Sequence, residues 1–233
     1  MLEHLKLSHG SSRFAFDPTN ALRRASEVGS RFRVTAAIGT LTLLAAIVPS
    51  SIEWLQLDFA ATLDGQWWRV FTGHVTHFGA QHLFWDLLMF VVLASLCEFQ
   101  HPKTFSALLS VIALIVSATV MFFCGDVANY RGLSGVDTGL FVWFVGDQYR
   151  LSQKQNDKPY AMLWGTLGVL LLAKLFYEMV TGELLFVSVE GFKPLVESHV
   201  SGGLAGLLAL FLSDSSIQKR FSGPGNLAFS RQS

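Results

Sequence analysis

The sequence has few charged residues and no excess of either sign. Asp, Glu, Lys and Arg make up 15% of its 233 residues, whereas soluble domains carry roughly 25%. The 17 basic residues balance the 17 acidic ones, so charge gives no indication of a nucleic-acid partner. Apolar residues make up 51% of the chain. These features exclude an ordinary soluble domain and predict a membrane protein of one domain.

The chain also lacks a disulfide framework and a metal-protease motif. Its two cysteines, Cys97 and Cys124, stand in apolar surroundings near opposite membrane faces of the topology given below. They are therefore expected to be buried and unpaired. The motif H-E-x-x-H is absent, and no cleavable signal peptide, internal repeat or low-complexity segment is visible. The sequence predicts no cofactor and no bound metal.

Long apolar segments are abundant. A spanning helix needs about 20 mostly apolar residues, and an open strand edge in lipid would leave backbone groups unpaired. Candidate helices occupy 34–52, 78–98, 104–124, 132–149, 160–181 and 195–213. The sequence therefore predicts an all-α fold, with a six-helix membrane domain at 34–213. A basic segment, 1–33, precedes this domain, and a disordered tail, 214–233, follows it.

Lysine and arginine are concentrated on one side of this arrangement. That side holds the basic N-terminal segment, the connection with Lys103, the loop with Arg150, Lys154 and Lys158, and the C-terminal tail. Cytoplasmic loops are enriched in Lys and Arg, so both termini are predicted to be cytoplasmic. On this topology the aromatic segment 53–77 is predicted to form an amphipathic loop at the external face. An ordinary aromatic belt at the membrane interface would have a similar composition and is the alternative.

A serine between glycines opens the predicted fourth helix, in the run Gly132-Leu133-Ser134-Gly135. Free N–H groups at a helix N-terminus can stabilise a developing oxyanion. Ser134 is therefore a candidate nucleophile, provided that a base removes its proton. Serine and glycine are also common where membrane helices pack, and that alternative stays open for this motif taken alone.

His199 is the candidate base. It stands near the external end of the sixth helix, at the predicted depth of Ser134, and Gly202 and Gly206 follow on one helix face. Small residues at this spacing allow close helix contact, which would bring His199 to Ser134. Packing and metal ligation are the alternative roles of a lone membrane histidine.

A third group of polar residues lies at the second helix. His82 and Asp86 are four residues apart and share one helix face. His77 precedes His82 by five residues, which is poor geometry for chelating one metal. A haem or metal site that uses His74, His77, His82 and His199 remains an alternative of another class.

These blocks, in this order, resemble the rhomboid intramembrane serine proteases over roughly residues 34–213. The blocks are Trp68-Arg69 with His77, His82 and Asp86; Gly132-Leu133-Ser134-Gly135; and His199 with Gly202 and Gly206. Tyr130, Arg131 and Asp86 are most similar to rhombosortase, a bacterial branch. That branch is linked to proteins that end in a Gly-Gly-type sorting segment.

The resemblance implies a membrane-embedded external loop between the first two helices, which contains Trp68 and Arg69, and a Ser-His dyad. Ser134 would attack the scissile carbonyl, and His199 would act first as base and then as acid. His82 and the Ser134 backbone N–H would stabilise the oxyanion, with Asp86 as an auxiliary residue. The residues expected to contact substrate are Gly132, Leu133 and Arg131, although Arg131 has the alternative of lying at the lipid headgroups.

The chain departs from the commoner rhomboid pattern at two positions. Asp86 stands where many rhomboids have asparagine, and an ionised aspartate would repel an oxyanion. We hypothesise that Asp86 stays protonated in an apolar site or accepts an N–H of His82. Thr138 replaces a tyrosine that many rhomboids pack beside the histidine. Asp137, one turn after Ser134, is a second candidate helper that could hold a water. A structural pairing with a polar neighbour is expected instead, because an anion so near the nucleophile would not aid attack.

Three further ionisable residues are predicted to have structural roles. Lys174 and Glu178 are four residues apart on the fifth helix and are expected to pair with each other or to extend toward the membrane surface. Glu98 is expected to cap the cytoplasmic end of the second helix.

Together these features predict a serine endopeptidase within a bacterial cytoplasmic membrane. Its expected substrate is a single-span membrane protein, cleaved near the external face, with the lipid bilayer as its surroundings. No nucleic-acid partner is expected, and nothing in the sequence bears on oligomeric state. The main alternative is a non-catalytic rhomboid relative that binds membrane segments, but the presence of both Ser134 and His199 favours the enzyme.

Overall fold

The computed structural model describes residues 31–48, 50–185 and 195–221, with side chains through residue 213. In this part the elements are α1 (Arg33–Ile47), α2 (Ser51–Leu55), β1 (Leu57–Asp58), α3 (Phe59–Leu63), α4 (Arg69–Thr72), a 3₁₀ turn (Gly73–Val75), α5 (Ala80–Gln100), α6 (Phe105–Phe123), β2 (Asn129–Tyr130), α7 (Ser134–Lys154), α8 (Lys158–Thr181) and α9 (Val196–Phe221). The predicted N-terminal segment lies almost wholly outside the described residues. The last helix continues beyond residue 213, where the membrane domain was predicted to end, and residues 222–233 are not described.

Four helices of the described chain, α5, α6, α8 and α9, are long and apolar enough to cross a membrane. The environment of α8 is the clearest, because only 6% of its apolar window is buried inside the protein. Its exposed side chains include Met162, Val169, Leu172 and Phe176. Apolar surface of this extent requires a lipid environment. The protein is therefore an integral membrane protein.

Two of the six predicted spans have a different character. α1 has 15 residues, and at 1.5 Å per residue it is about 22 Å long, which is less than the roughly 30 Å of a bilayer core. α7 has 21 residues but carries Asp137, Asp147, Arg150 and Lys154. All six predicted segments contain a helix, and four of these helices meet the requirement for a span by length and hydropathy.

The segment 53–77 contains short helices rather than one continuous loop. β1 within it pairs with β2 in antiparallel register, with Leu57 opposite Tyr130 and Asp58 opposite Asn129. This pairing attaches the segment to the residues that immediately precede α7. The start of α7 is therefore positioned by a part of the chain that lies far away in sequence.

Glu98 caps a different helix from the predicted one. Its carboxylate accepts the N–H groups of Val34 and Thr35, each at 2.9 Å, and the Thr35 hydroxyl at 2.7 Å. The first N–H groups of a helix lack partners within that helix. Glu98 on α5 therefore caps the N-terminus of α1, and the prediction that it caps α5 was wrong.

Glycines bring α7 and α9 into backbone contact. A Cβ on Gly202 would collide with the carbonyl oxygen of Gly135, and a Cβ on Gly206 with that of Gly139. The structure thus contains the close helix contact that the spacing of Gly202 and Gly206 predicted. As a result, the first turns of these two helices lie side by side.

The core contains Phe90, Phe105, Ile112 and Leu140, all of which are fully buried. Both cysteines are buried and free, as expected.

Candidate active site

Ser134 and His199 line the same cavity, which has a volume of ≈520 Å³. Ser134 is the first residue of α7, and His199 lies in the first turn of α9. The described structure has no hydrogen bond between the Ser134 hydroxyl and His199. Such bonds are often long in substrate-free enzymes and shorten when substrate binds.

The two side chains lie where a polar and an apolar cavity adjoin. The first cavity is also lined by Asn129, Tyr130, Arg131 and Ser198. A second cavity of ≈570 Å³ is enclosed mainly by Trp85, Met89, Phe141, Leu167 and Leu170, from α5, α7 and α8. Ser134, His199, His82 and Leu184 line both cavities. The serine is therefore accessible from a polar space and from an apolar one.

Asp86 caps the N-terminus of α7. Its Oδ2 accepts the backbone N–H groups of Leu133, at 2.8 Å, and of Ser134, at 3.1 Å. A carboxylate at this position is favoured by the helix dipole and satisfies two otherwise free donors. The Ser134 N–H, which was expected to bind an oxyanion, therefore has a carboxylate partner in this structure.

Two histidines contact the same carboxylate oxygen. Nε2 of His82 lies 3.1 Å from Asp86 Oδ2, and Nε2 of His77 lies 3.3 Å from it. Asp86 is therefore placed to accept an N–H of His82, which is the contact that one of the two hypotheses made from the sequence requires. His77, whose five-residue spacing from His82 was judged poor for binding one metal, nevertheless lies beside the same oxygen.

The turn before Ser134 is held by residues with no predicted catalytic role. The Gly132 carbonyl accepts the Tyr130 hydroxyl at 3.1 Å and lies 3.2 Å from Nδ1 of His74. His74 Nε2 lies 3.0 Å from the Ser117 hydroxyl on α6. These contacts fix the Gly132 peptide, and thus the direction of the N–H groups that follow it.

Burial shifts the pKa of both supporting residues. It raises the pKa of Tyr130, so the hydroxyl remains a donor at neutral pH. It also lowers the pKa of His74, against the opposing effect of hydrogen bonds to the Gly132 and Ala113 carbonyls. Sequence spacing did not reveal the support from His74, because its partners lie 39 to 58 residues away in separate elements.

Glu178 contacts the candidate base. Its Oε2 lies 2.8 Å from Nδ1 of His199, and the carboxylate is completely buried. Lys174 contacts both oxygens, at 2.7 and 2.8 Å, so the predicted pairing of Lys174 with Glu178 is present. The contact with His199 was not predicted, because Lys174 already provided a local partner four residues away.

Asp137 and Thr138 follow Ser134 on α7. The Asp137 carboxyl group is buried, and neither of its oxygens has a hydrogen-bond partner in the described part of the protein. The expectation that it pairs with a polar neighbour was therefore wrong. The Thr138 hydroxyl donates to the Ser134 carbonyl at 2.9 Å, and its side chain faces the apolar cavity.

Arg131 lies at the wall of the polar cavity. Its Nε and Nη2 donate to Gln56 Oε1 at 2.9 and 2.7 Å, and its guanidinium lies 4.6 Å from the centre of the Phe78 ring. Arg69, by contrast, is buried and bonds to Gln56 and Gln66 within the external segment. Arg131 is thus held at the cavity, whereas Arg69 has structural contacts.

The histidines make no metal cluster in the described residues, where no group of three or more His, Cys, Asp or Glu side chains is arranged to hold an ion. His74 contacts backbone carbonyls, and His77 and His82 share an aspartate. Both ring nitrogens of His74 thus have protein partners, so neither is free for the haem or metal alternative.

A protein-family model described as the Rhomboid domain matches residues 64–215, which is about two thirds of the chain. The match includes Ser134, His199, His82 and Asp86. Members of this family are generally intramembrane serine proteases that act on membrane proteins. The chain belongs to the rhomboid family.

Proposed function

We propose that this protein is an intramembrane serine endopeptidase that uses Ser134 and His199 as a catalytic pair. The observation that carries the proposal is that these two residues, far apart in sequence, line one cavity where α7 and α9 touch. Loss of either residue would mark a non-catalytic relative. The presence of both favours an enzyme over that alternative.

The reaction is an acyl transfer to serine, followed by hydrolysis. The Ser134 hydroxyl attacks the scissile carbonyl while His199 takes its proton. The same proton passes to the leaving nitrogen as the peptide bond breaks. Water entering through the polar cavity then attacks the acyl-enzyme with His199 as base, and His199 returns the proton to the Ser134 oxygen as the ester bond breaks.

The oxyanion formed in this reaction needs donors that Asp86 now occupies. The Ser134 N–H donates to Asp86 in the described structure. We propose that the substrate carbonyl displaces this carboxylate from the Ser134 N–H, and that the His82 Nε2–H, which lies 3.1 Å from the same Asp86 oxygen, turns to the oxyanion as a second donor. Asp86 keeps the Leu133 N–H and therefore still caps α7 during the reaction.

The two cavities fit two parts of a membrane substrate. The apolar cavity between α5, α7 and α8 suits an apolar segment, and the polar cavity suits an unwound peptide near the membrane surface. Glycine weakens a helix by about 1 kcal/mol relative to alanine, so a Gly-Gly site unwinds readily. Arg131, Gly132 and Leu133 lie where the unwound peptide would pass.

We further propose the finer assignments that follow from the resemblance. The chain would form six spans with the segment 53–77 at the external face and both termini in the cytoplasm of a bacterial cell. Its substrates would be single-span proteins cleaved near that face. Tyr130, Arg131 and Asp86 support placement in the rhombosortase branch, whose substrates carry Gly-Gly-type segments.

Reconstitution into liposomes tests the activity. A panel of single-span reporters would carry either Gly-Gly or Leu-Leu at the external end of the span. We expect the wild type to cleave a Gly-Gly reporter, and Ser134→Ala and His199→Ala to be inactive. Two results would contradict the proposal. One is cleavage by Ser134→Ala at the wild-type rate, and the other is that the wild type cleaves none of the reporters.

A further inference from the structure

Glu178 is the buried charged group that contacts His199. Its Oε2 lies 2.8 Å from the Nδ1 of the ring, and the side chain has no exposure to solvent. An ionised carboxylate only accepts hydrogen bonds. Nδ1 must therefore carry the proton, which leaves Nε2 of His199 free to accept one.

The carboxylate is fixed by donors on both of its oxygens. The Leu185 N–H donates to Oε1 at 3.0 Å, and Lys174 contacts both oxygens. A buried carboxylate is tolerated when its oxygens are satisfied in this way. Glu178 therefore presents Oε2 to His199 in a defined direction, from a helix that contains neither member of the Ser-His pair.

We propose that Glu178 is a positioning residue for the Ser134 and His199 reaction. It holds the tautomer in which Nε2 is the base, and it stabilises the imidazolium that forms when the ring takes the serine proton. Glu178 itself gains no proton, since the proton moves from the Ser134 hydroxyl to Nε2 and then to the leaving nitrogen. This inference rests on the proposed function.

A simpler role for Glu178 would be to pair with Lys174 and neutralise the charge within α8. The two roles make different predictions for a variant that lacks both charges. If pairing is all that matters, removing Lys174 together with the Glu178 charge restores the balance and the activity. If Glu178 positions His199, the double variant stays impaired.

The test uses the full chain in liposomes with a reporter that the wild type cleaves. The variants are Glu178→Gln, Glu178→Asp, Lys174→Met and the double variant Glu178→Gln/Lys174→Met, with Ser134→Ala as the inactive reference. We expect Glu178→Gln to lower kcat on the order of 10²-fold with little change in KM, because the ring loses its orienting charge. The double variant should be equally slow, Lys174→Met should stay within about tenfold of the wild type, and Glu178→Asp should recover part of kcat.

Two results would overturn this role for Glu178. One is a wild-type kcat in Glu178→Gln, and the other is recovery of the double variant to the level of Lys174→Met. In either case an inactive Ser134→Ala would leave the proposed function intact. Equal cleavage by Ser134→Ala and the wild type would instead reject the proposed function itself. Thermal unfolding of each variant separates loss of kcat from loss of fold.

Discussion

Asp86 has two opposing effects on the site. It caps α7 by accepting the Leu133 and Ser134 N–H groups, but as an anion beside Ser134 it would repel an oxyanion. The same carboxylate therefore stabilises the start of α7 and places a negative charge where it would disfavour the proposed reaction. Asparagine could accept from the backbone and also donate, so substitution separates the two effects.

We expect Asp86→Asn to cleave at least as fast as the wild type and Asp86→Ala to be both slower and less stable. Leaving buried N–H donors without a partner costs roughly 1–3 kcal/mol, and Asp86→Ala removes the partner of two. Cleavage rates in liposomes and unfolding in mixed micelles measure the two effects. A lower rate for Asp86→Asn than for the wild type, at equal stability, would show that the negative charge assists the reaction.

Gly132 is required by backbone conformation and by space. Its φ is +123°, and a Cβ would lie 2.8 Å from His82 Nε2 and 3.0 Å from Asp86 Oδ2. Gly65 has a similar φ of +102°, but no atom lies within 4 Å of the position that its Cβ would occupy. Alanine at Gly65 therefore introduces backbone strain alone, whereas alanine at Gly132 introduces the same strain together with a collision with His82 and Asp86.

We expect Gly132→Ala to abolish most cleavage, whereas Gly65→Ala should lose only stability. A residue forced into an unfavourable backbone region costs on the order of 1–3 kcal/mol, which both variants incur. Cleavage normalised to the folded fraction isolates the collision with His82 and Asp86. Equal normalised activity of the two variants would contradict the described geometry.

At the residue scale, the sequence predicted those groups whose motif is local. Ser134 and His199 came from short motifs, and His82 from its spacing to Asp86. Glu178 could not be found in this way, because its local pairing with Lys174 hid a contact between two helices. Asp137 was predicted to have a polar partner because an unpaired charged group inside a membrane is energetically unfavourable. Among the described residues its carboxylate oxygens have no hydrogen-bond partner.

At the scale of elements, the contact between α7 and α9 determines whether Ser134 and His199 share a cavity. Gly202 and Gly206 of α9 lie directly against the backbone carbonyl oxygens of Gly135 and Gly139 on α7. Gly203 lies between them, and a Cβ there would meet its nearest atoms at 3.7 Å, an ordinary contact distance. It therefore provides a matched control on the same helix.

We expect Gly202→Ala and Gly206→Ala to destabilise the protein by about 1–3 kcal/mol, as overpacking typically does, and to lower cleavage by separating the helices. Gly203→Ala should be close to the wild type in both respects. Unfolding in mixed micelles and cleavage in liposomes provide the comparison. If all three variants behave alike, this helix contact does not control the site.

Hydrophobic runs predicted where the helices lie, but their ends and caps depend on tertiary contacts. α1 is shorter than its apolar run, and its N-terminus is capped by Glu98 from α5. Likewise, α7 begins at Ser134, where Asp86 supplies the cap from α5. A cap donated by another helix leaves no signal in the residues adjacent to the helix that it caps.

At the scale of the whole molecule, the distribution of Lys and Arg predicts which side each loop faces. Asp64 belongs to the predicted external segment, and Gln155 to the predicted cytoplasmic loop between α7 and α8. Both residues are exposed, while the native Cys97 and Cys124 are buried. Single cysteines at the two exposed positions can therefore report on topology against a low background.

We expect a membrane-impermeant maleimide to label Asp64→Cys in intact bacterial spheroplasts and Gln155→Cys only after lysis. The physical reason is retention of basic loops on the cytoplasmic side. The unmodified chain measures the background from the native cysteines. Labelling in the reverse order would invert the predicted orientation and move Ser134 to the cytoplasmic face.

The central claim is that Ser134 is a nucleophile activated by His199. The most direct measurement is mass-spectrometric mapping of the residue modified by a fluorophosphonate probe in the reconstituted protein. We predict an adduct on Ser134 in the wild type, no adduct at this position in Ser134→Ala, and a strongly reduced rate in His199→Ala. An adduct on another serine, or an undiminished rate in His199→Ala, would contradict the account.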